Sequence, residues 1–98
     1  MNLQALMKQA QNMQKKVMES KNEIEKKEYK GESELVEVIM NGNREVLSAK
    51  IKIDSLDKDD IEILQDMIVI AVNDANKKIK KDIQEKMGSQ MGNFGSLF

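Results

Sequence analysis

A chain of 98 residues, 40% hydrophobic and 34% charged, is bounded to one small domain with a modest core, and its three aromatics make that core aliphatic and methionine-rich. It has no His, Cys, Trp or Pro, which removes the imidazole base, the thiolate nucleophile and the usual zinc ligands together. The net charge of -1 hides a segregation: residues 2–30 carry net +3, 31–56 net -2, 57–76 net -5 and 77–87 net +3.

The first element is a helix. An apolar stripe runs from Leu3 through Leu6, Ala10, Met13 and Val17 to Ile24 in alternate steps of three and four, the seam of a coiled coil. It predicts a helix from about Leu3 to Lys26, roughly 35 Å long. Met7 and Met18 widen the stripe, so the first half is expected to be buried. The half from Ser20 to Lys27 is expected to project into solvent or lie on one neighbouring helix.

Extended chain follows from Tyr29 to Ser33 and from Glu34 to Met40, with Val36, Val38 and Met40 on one face and Gly31 as a candidate bulge or bend. Asn41-Gly42 is a strong hairpin signal and predicts a type I′ turn. The return strand reads Glu45 to Ile53, with Leu47, Ala49, Ile51 and Ile53 apolar and Ser48, Lys50 and Lys52 toward water. Asp57 and Asp60 approximate a capping box ahead of a long second helix from Ile61 to about Met87, which Gly88 should end.

Within that helix Met67 to Val72 is apolar all round, so the sheet should cover one side and a second subunit the other. The candidate dimer interface is therefore Met67, Ile68, Val69, Ile70, Ala71, Val72, Ala75 and Ile79. Beyond Asp74 the stripe thins to Ala75, Ile79, Ile83 and Met87, flanked by Lys77, Lys78, Lys80 and Lys81. Its natural mate is the similarly thin, similarly basic second half of the first helix, from its own subunit or a partner. The pattern gives an α+β fold: a long N-terminal helix, a short antiparallel β-sheet and a long C-terminal helix. Residues 1–87 form a single domain, and 88–98 a flexible Gly/Ser/Met tail in which Phe94 and Phe98 are read as disordered.

No catalytic constellation is visible, because the Asp and Glu residues are spread along helix surfaces without convergent spacing. The reading is of a protein that is not an enzyme, with no metal site, cofactor or small-molecule substrate. The N-terminus has no basic n-region, and no window approaches the ~20 apolar residues of a membrane span, so a cytoplasmic protein without a membrane partner is expected.

Five ordered motifs carry a family resemblance. They are Leu-Met-Lys-Gln-Ala-Gln-Asn-Met-Gln at 6–14, Met-Asn-Gly at 40–42 ahead of Arg44-Glu45-Val46, Lys50-Ile51-Lys52-Ile53-Asp54, Leu64-Gln65-Asp66-Met67-Ile68, and Ala71-Val72-Asn73-Asp74-Ala75. Over nearly its whole length the chain resembles the YbaB/EbfC family of nucleoid-associated proteins. The resemblance implies a tweezer-like homodimer with projecting helical arms that binds double-stranded DNA and associates with the nucleoid. Family members carry a Gly-rich step between their first two strands. Here Gly31-Glu32-Ser33-Glu34 is shorter and nearly free of glycine, which leaves open one bent strand in place of two.

On that reading the arm lysines, Lys15, Lys16, Lys21, Lys26, Lys27, Lys77, Lys78, Lys80 and Lys81, are the candidate DNA-binding residues. Segregated lysines on paired arms double in a dimer and sum to one positive field. A single arginine, Arg44, limits bidentate reading of guanine, so backbone contact with weak sequence preference is expected. The alternative is a dimeric adaptor whose arms grip another protein through the exposed apolar line, with the acidic run Asp57 to Asp66 as a steering surface.

Overall fold

The computed structural model describes residues 2–91. Helix α1 spans Leu3–Lys26, strands β1, β2 and β3 span Glu28–Glu32, Val36–Asn41 and Val46–Ile51, and a 3-10 turn at Lys58–Asp60 leads into helix α2, Ile61–Met91. The molecule measures 71 × 20 × 14 Å, with a radius of gyration of 19.1 Å. A compact chain of this length would give about 13 Å. The length comes from α2, about 46 Å at 1.5 Å per residue, and from α1.

Local signals set the helix ends. The Asn2 side chain accepts from the Gln4 N–H at 3.0 Å and caps α1. At the other end Lys27 turns extended, and α1 enters β1 with no loop between them. Ahead of α2 the Asp57 N–H donates to Asp60 Oδ2 at 3.1 Å, the reciprocal half of the expected capping box.

The sheet is antiparallel in the order β1-β2-β3, with Tyr29 opposite Met40, Gly31 opposite Val38 and Val38 opposite Ala49. Helix α2 lies over β1 and β2 and leaves β3 uncovered. The buried cluster is Ile24, Tyr29, Val36, Val38, Met40, Ala71, Ala75, Ile79, Ile83 and Met87, with Val17, Leu35, Leu64, Met67 and Val72 at its edge. Alternation along β2 and the i, i+4 stripe of α2 thus face each other across one interface.

One open question is answered and four sequence expectations are corrected. First, of the one bent strand or two that the sequence leaves open, the chain forms two, β1 and β2. Ser33 makes the turn between them: its N–H donates to the Val36 carbonyl at 2.8 Å, and its hydroxyl accepts from the Val36 N–H at 3.2 Å. A hydroxyl supplies the turn that glycine would otherwise make.

Second, Gly31 is no bulge; it is paired in register with Val38. It is glycine because α2 passes too close for a side chain, a Cβ there lying 2.0 Å from the Ala71 carbonyl oxygen and 2.8 Å from the Ala75 Cβ.

Third, the β2–β3 turn is not type I′. Its closing pair is Asn41 and Glu45, the Arg44 N–H donates to the Asn41 carbonyl at 3.0 Å, and the left-handed residue is Arg44 at φ 65°. This is the three-residue hairpin loop, a turn followed by one αL residue. Gly42 is spent on proximity instead, since its Cβ would lie 1.9 Å from the Ile24 carbonyl oxygen of α1.

Fourth, the first half of α1 is open where burial is expected, while the second half lies on a neighbouring helix, one of its two expected placements. Residues 2–16 are exposed, with Leu3 at 71%, whereas Ile24 is fully buried against α2. The direct junction with β1 selects the C-terminal half as the one held to the body. Fifth, α2 does not stop at Gly88 but continues to Met91. Phe94 and Phe98 lie outside the described residues.

Candidate nucleic-acid interface

Helix α2 has two polar flanks beside its buried stripe, and they do different work. On one flank Asp74, Lys78, Asp82 and Lys86 follow each other at i, i+4 and fasten the helix to β1. The Glu32 N–H donates to Asp74 Oδ2 at 2.9 Å, and Lys78 Nζ donates to the Lys30 carbonyl at 2.6 Å. These two bonds straddle Gly31, where strand and helix are closest. Further along, Asp82 Oδ2 accepts from the Tyr29 hydroxyl at 2.5 Å and from Lys27 Nζ at 3.2 Å, with Lys86 Nζ at 3.4 Å. Lys27 also sits 5.3 Å from the centroid of the Tyr29 ring.

The titration of these groups reflects the fastening. Burial pushes the Tyr29 phenol well above its ordinary value, and the Asp82 carboxylate pushes it further. Burial also opposes ionisation of Asp82, but hydrogen bonds from Tyr29 and Lys27 and the nearby lysine charges outweigh it and hold the carboxyl below its ordinary value. Asp74 is held low chiefly by the Glu32 backbone N–H, helped by Lys78.

The geometry therefore sorts the nine candidate lysines. Lys27 and Lys78 are engaged in holding α2 to the sheet. Lys21 faces Glu25 at 3.8 Å and Lys81 faces Glu85 at 4.0 Å, exposed pairs along their own helices. Such exposed pairs contribute little to stability. Lys15, Lys16, Lys26, Lys77 and Lys80 make no ion pair or hydrogen bond among the described residues.

The other flank meets the β2–β3 loop. Arg44 Nη1 donates to Asn76 Oδ1 at 2.9 Å, and an open depression of about 780 Å³ lies between loop and helix, with Asn73, Lys77 and Lys80 on its walls. One arginine in a turn carries no signal in the sequence, because only the packing of hairpin against helix shows where it points.

Of the candidate interface residues, Ala71, Ala75 and Ile79 are fully buried within this chain, and Met67 and Val72 partly so. Ile68, Val69 and Ile70 are 42%, 58% and 50% exposed. On β3, Val46, Leu47 and Ile51 are similarly open, Ile51 standing opposite the buried Val36 but beyond the reach of α2.

Residues 1–94, nearly the whole chain and every element above, match the YbaB/EbfC DNA-binding family. The chain belongs to that family. A nucleoid-associated protein of Lactococcus lactis subsp. lactis is 44% identical over 90 residues, covering 90% of this chain and 91% of the relative. One from Ligilactobacillus salivarius is 36% identical over 99 residues, covering 99% and 95%. One from Enterococcus faecalis is 38% identical over 89 residues, covering 89% and 86%. The YbaB/EbfC family is one of DNA-binding proteins and not of enzymes. Among the described residues no helix is long and apolar enough to cross a membrane, and no group of acidic side chains is placed to hold a metal ion.

Proposed function

We propose that this YbaB/EbfC chain works as a homodimer that clamps duplex DNA in the nucleoid, its arm lysines contacting phosphates with weak sequence preference. The observation that carries the reading is the sorting of the lysines. Asp74 and Asp82 are matched by Lys27, Lys78 and Lys86, Glu25 and Glu85 by Lys21 and Lys81, and five further lysines per protomer make no ion pair or hydrogen bond among the described residues. Unmatched cations on a rigid, protruding helix pair form a surface suited to a polyanion.

The homodimer is supported by what stays uncovered. Ile68, Val69 and Ile70 on α2 and Val46, Leu47 and Ile51 on β3 leave two apolar surfaces beside a small core. A domain of this size gains much of its stability by covering such surfaces with a second copy.

The test is fluorescence anisotropy of labelled duplexes of several sequences, titrated at a series of salt concentrations. If half of the ten unpaired lysines of a dimer contact phosphates, log affinity should fall with log salt at a slope of roughly -4.5. Similar affinities across sequences are expected. A slope near zero, or no binding at low salt, would overturn the clamp. The second outcome would favour the adaptor reading, which draws support from the exposed line Leu3, Leu6, Met7 and Met13 on α1.

A further inference from the structure

We propose that Arg44 joins two of the arm lysines, Lys77 and Lys80, in a phosphate site at the base of the arm, which takes a phosphodiester of bound DNA where the β2–β3 loop meets α2. This rests on the DNA-binding reading and extends the interface from the arms onto the hairpin.

Three independent observations converge on it. The only arginine of the chain occupies the left-handed position of the loop, at φ 65°, where glycine or asparagine is favoured and other residues are strained. Its guanidinium is then pinned by Asn76 through one of its five N–H donors, leaving four directed elsewhere. A fixed planar fork is the group that matches a phosphate with two parallel hydrogen bonds.

The third observation is electrostatic. The depression has two carboxylates at its rim, and each makes an ion pair with a lysine outside it. Glu32 pairs with Lys30 at 3.3 Å, and Asp74 pairs with Lys78 at 3.5 Å while also accepting the Glu32 N–H. Arg44, Lys77 and Lys80 make no ion pair among the described residues, although the charge of Lys77 helps to hold Asp74 ionised. An anion entering the depression meets three cations beside two carboxylates that are already in ion pairs, Glu32 sharing Lys30 with Glu37 at 3.4 Å.

The full-length chain tests this with three variants read by the salt slope of duplex binding and by thermal melting. Arg44→Asn keeps a residue that tolerates the left-handed turn and removes the fork; Lys77→Gln with Lys80→Gln removes the other cations without breaking an ion pair or hydrogen bond among the described residues; Lys15→Gln with Lys16→Gln reports on the arm alone. Arg44→Asn should flatten the slope by about 0.9 for each phosphate lost, which makes its affinity loss about 3.5-fold larger at 50 mM than at 200 mM salt. The two-lysine variant at 77 and 80 should flatten it as well, with an unchanged melting temperature, and decides the question if Arg44→Asn melts early. Wild-type slope in both site variants, with a flattened slope in the arm variant, would overturn the site and leave the clamp standing. Absence of binding by the wild type would overturn both.

Discussion

Replacing Gly31 by alanine probes the closest contact in the fold. A Cβ there would lie 2.0 Å from the Ala71 carbonyl oxygen, 2.7 Å from the Ala75 nitrogen and 2.8 Å from the Ala75 Cβ. Two of the three are backbone atoms of a helix, so relief requires α2 to move off the sheet as a unit. That motion also stretches the Glu32-to-Asp74 and Lys78-to-Lys30 bonds on either side of the glycine. Overpacking costs about 1–3 kcal/mol, and the weakened bonds about 1 kcal/mol more. The gain from stiffening the unfolded chain is only about 0.4–1 kcal/mol. The net loss should be about 2–3 kcal/mol, or roughly 10–20 °C in melting temperature at equal protein concentration. Adding Ala75→Gly removes the side-chain overlap but not the carbonyl, so it should not restore stability. Calorimetric or circular-dichroism melting decides it. A Gly31→Ala protein within about 2 °C of wild type, or one rescued by Ala75→Gly, would refute the argument that backbone proximity fixes this residue.

Asp82→Asn removes the negative charge shared by Tyr29, Lys27 and Lys86, leaving only a neutral acceptor, and should cost about 1.5–3 kcal/mol at neutral pH. Because the folded carboxyl titrates below its unfolded value, its contribution is complete above the unfolded value and is lost as pH falls through the folded one. The difference between wild type and Asp82→Asn in urea unfolding should therefore shrink in that acid window. Tyr29 is the sole tyrosine, so phenolate absorbance reports it cleanly; with its folded pKa raised, its contribution is complete below the unfolded value near 10 and is lost as pH climbs above it. The phenolate signal should appear only together with alkaline unfolding, and ionisation near pH 10 in the folded protein would contradict the buried bond to Asp82. Gly42→Ala should detach the hairpin from α1 and lower the melting temperature on a scale similar to Gly31→Ala, since the nearest atom is again a carbonyl oxygen, at 1.9 Å. The lysines should separate by assay: Lys27→Gln and Lys78→Gln lower stability with little change in salt slope, whereas Lys15→Gln with Lys16→Gln flattens the slope and leaves melting unchanged.

The elements of this fold were legible because each rests on a local period. The i, i+4 stripe through Ala75, Ile79, Ile83 and Met87 is buried as its spacing requires, and Val36, Val38 and Met40 alternate onto one interface. The mating of thin, basic helix halves also held, within one chain. What the sequence did not disclose depends on distances between elements. Gly31 and Gly42 read as conformational signals, yet both are required by backbone passing within a side chain's width. Moving Gly42 to that role shifts the left-handed position onto Arg44, which is why the turn type differed. The apolar stripe is widest in the first half of α1, yet the half held to the body is the one joined directly to β1 at Lys27. The helix end was missed at Gly88 because glycine costs only about 1 kcal/mol inside a helix.

The sorting of charge also explains why a net of -1 says little about an affinity for DNA. Glu62 and Lys80 lie on the same helix, 18 residues and so about 27 Å apart. At physiological salt the Debye length is about 8 Å, so the acidic start of α2 does not cancel the basic flank further along it. Within the basic region the number of lysines is likewise a poor guide. Lys27 and Lys78 already satisfy a carboxylate or a carbonyl, and transferring them to a phosphate would leave those groups short of a partner in a partly buried place. Lys77 and Lys80 face no such exchange. Internal bonding thus divides lysines that composition treats alike, and the same bonds that immobilise one set hold the helix that presents the other.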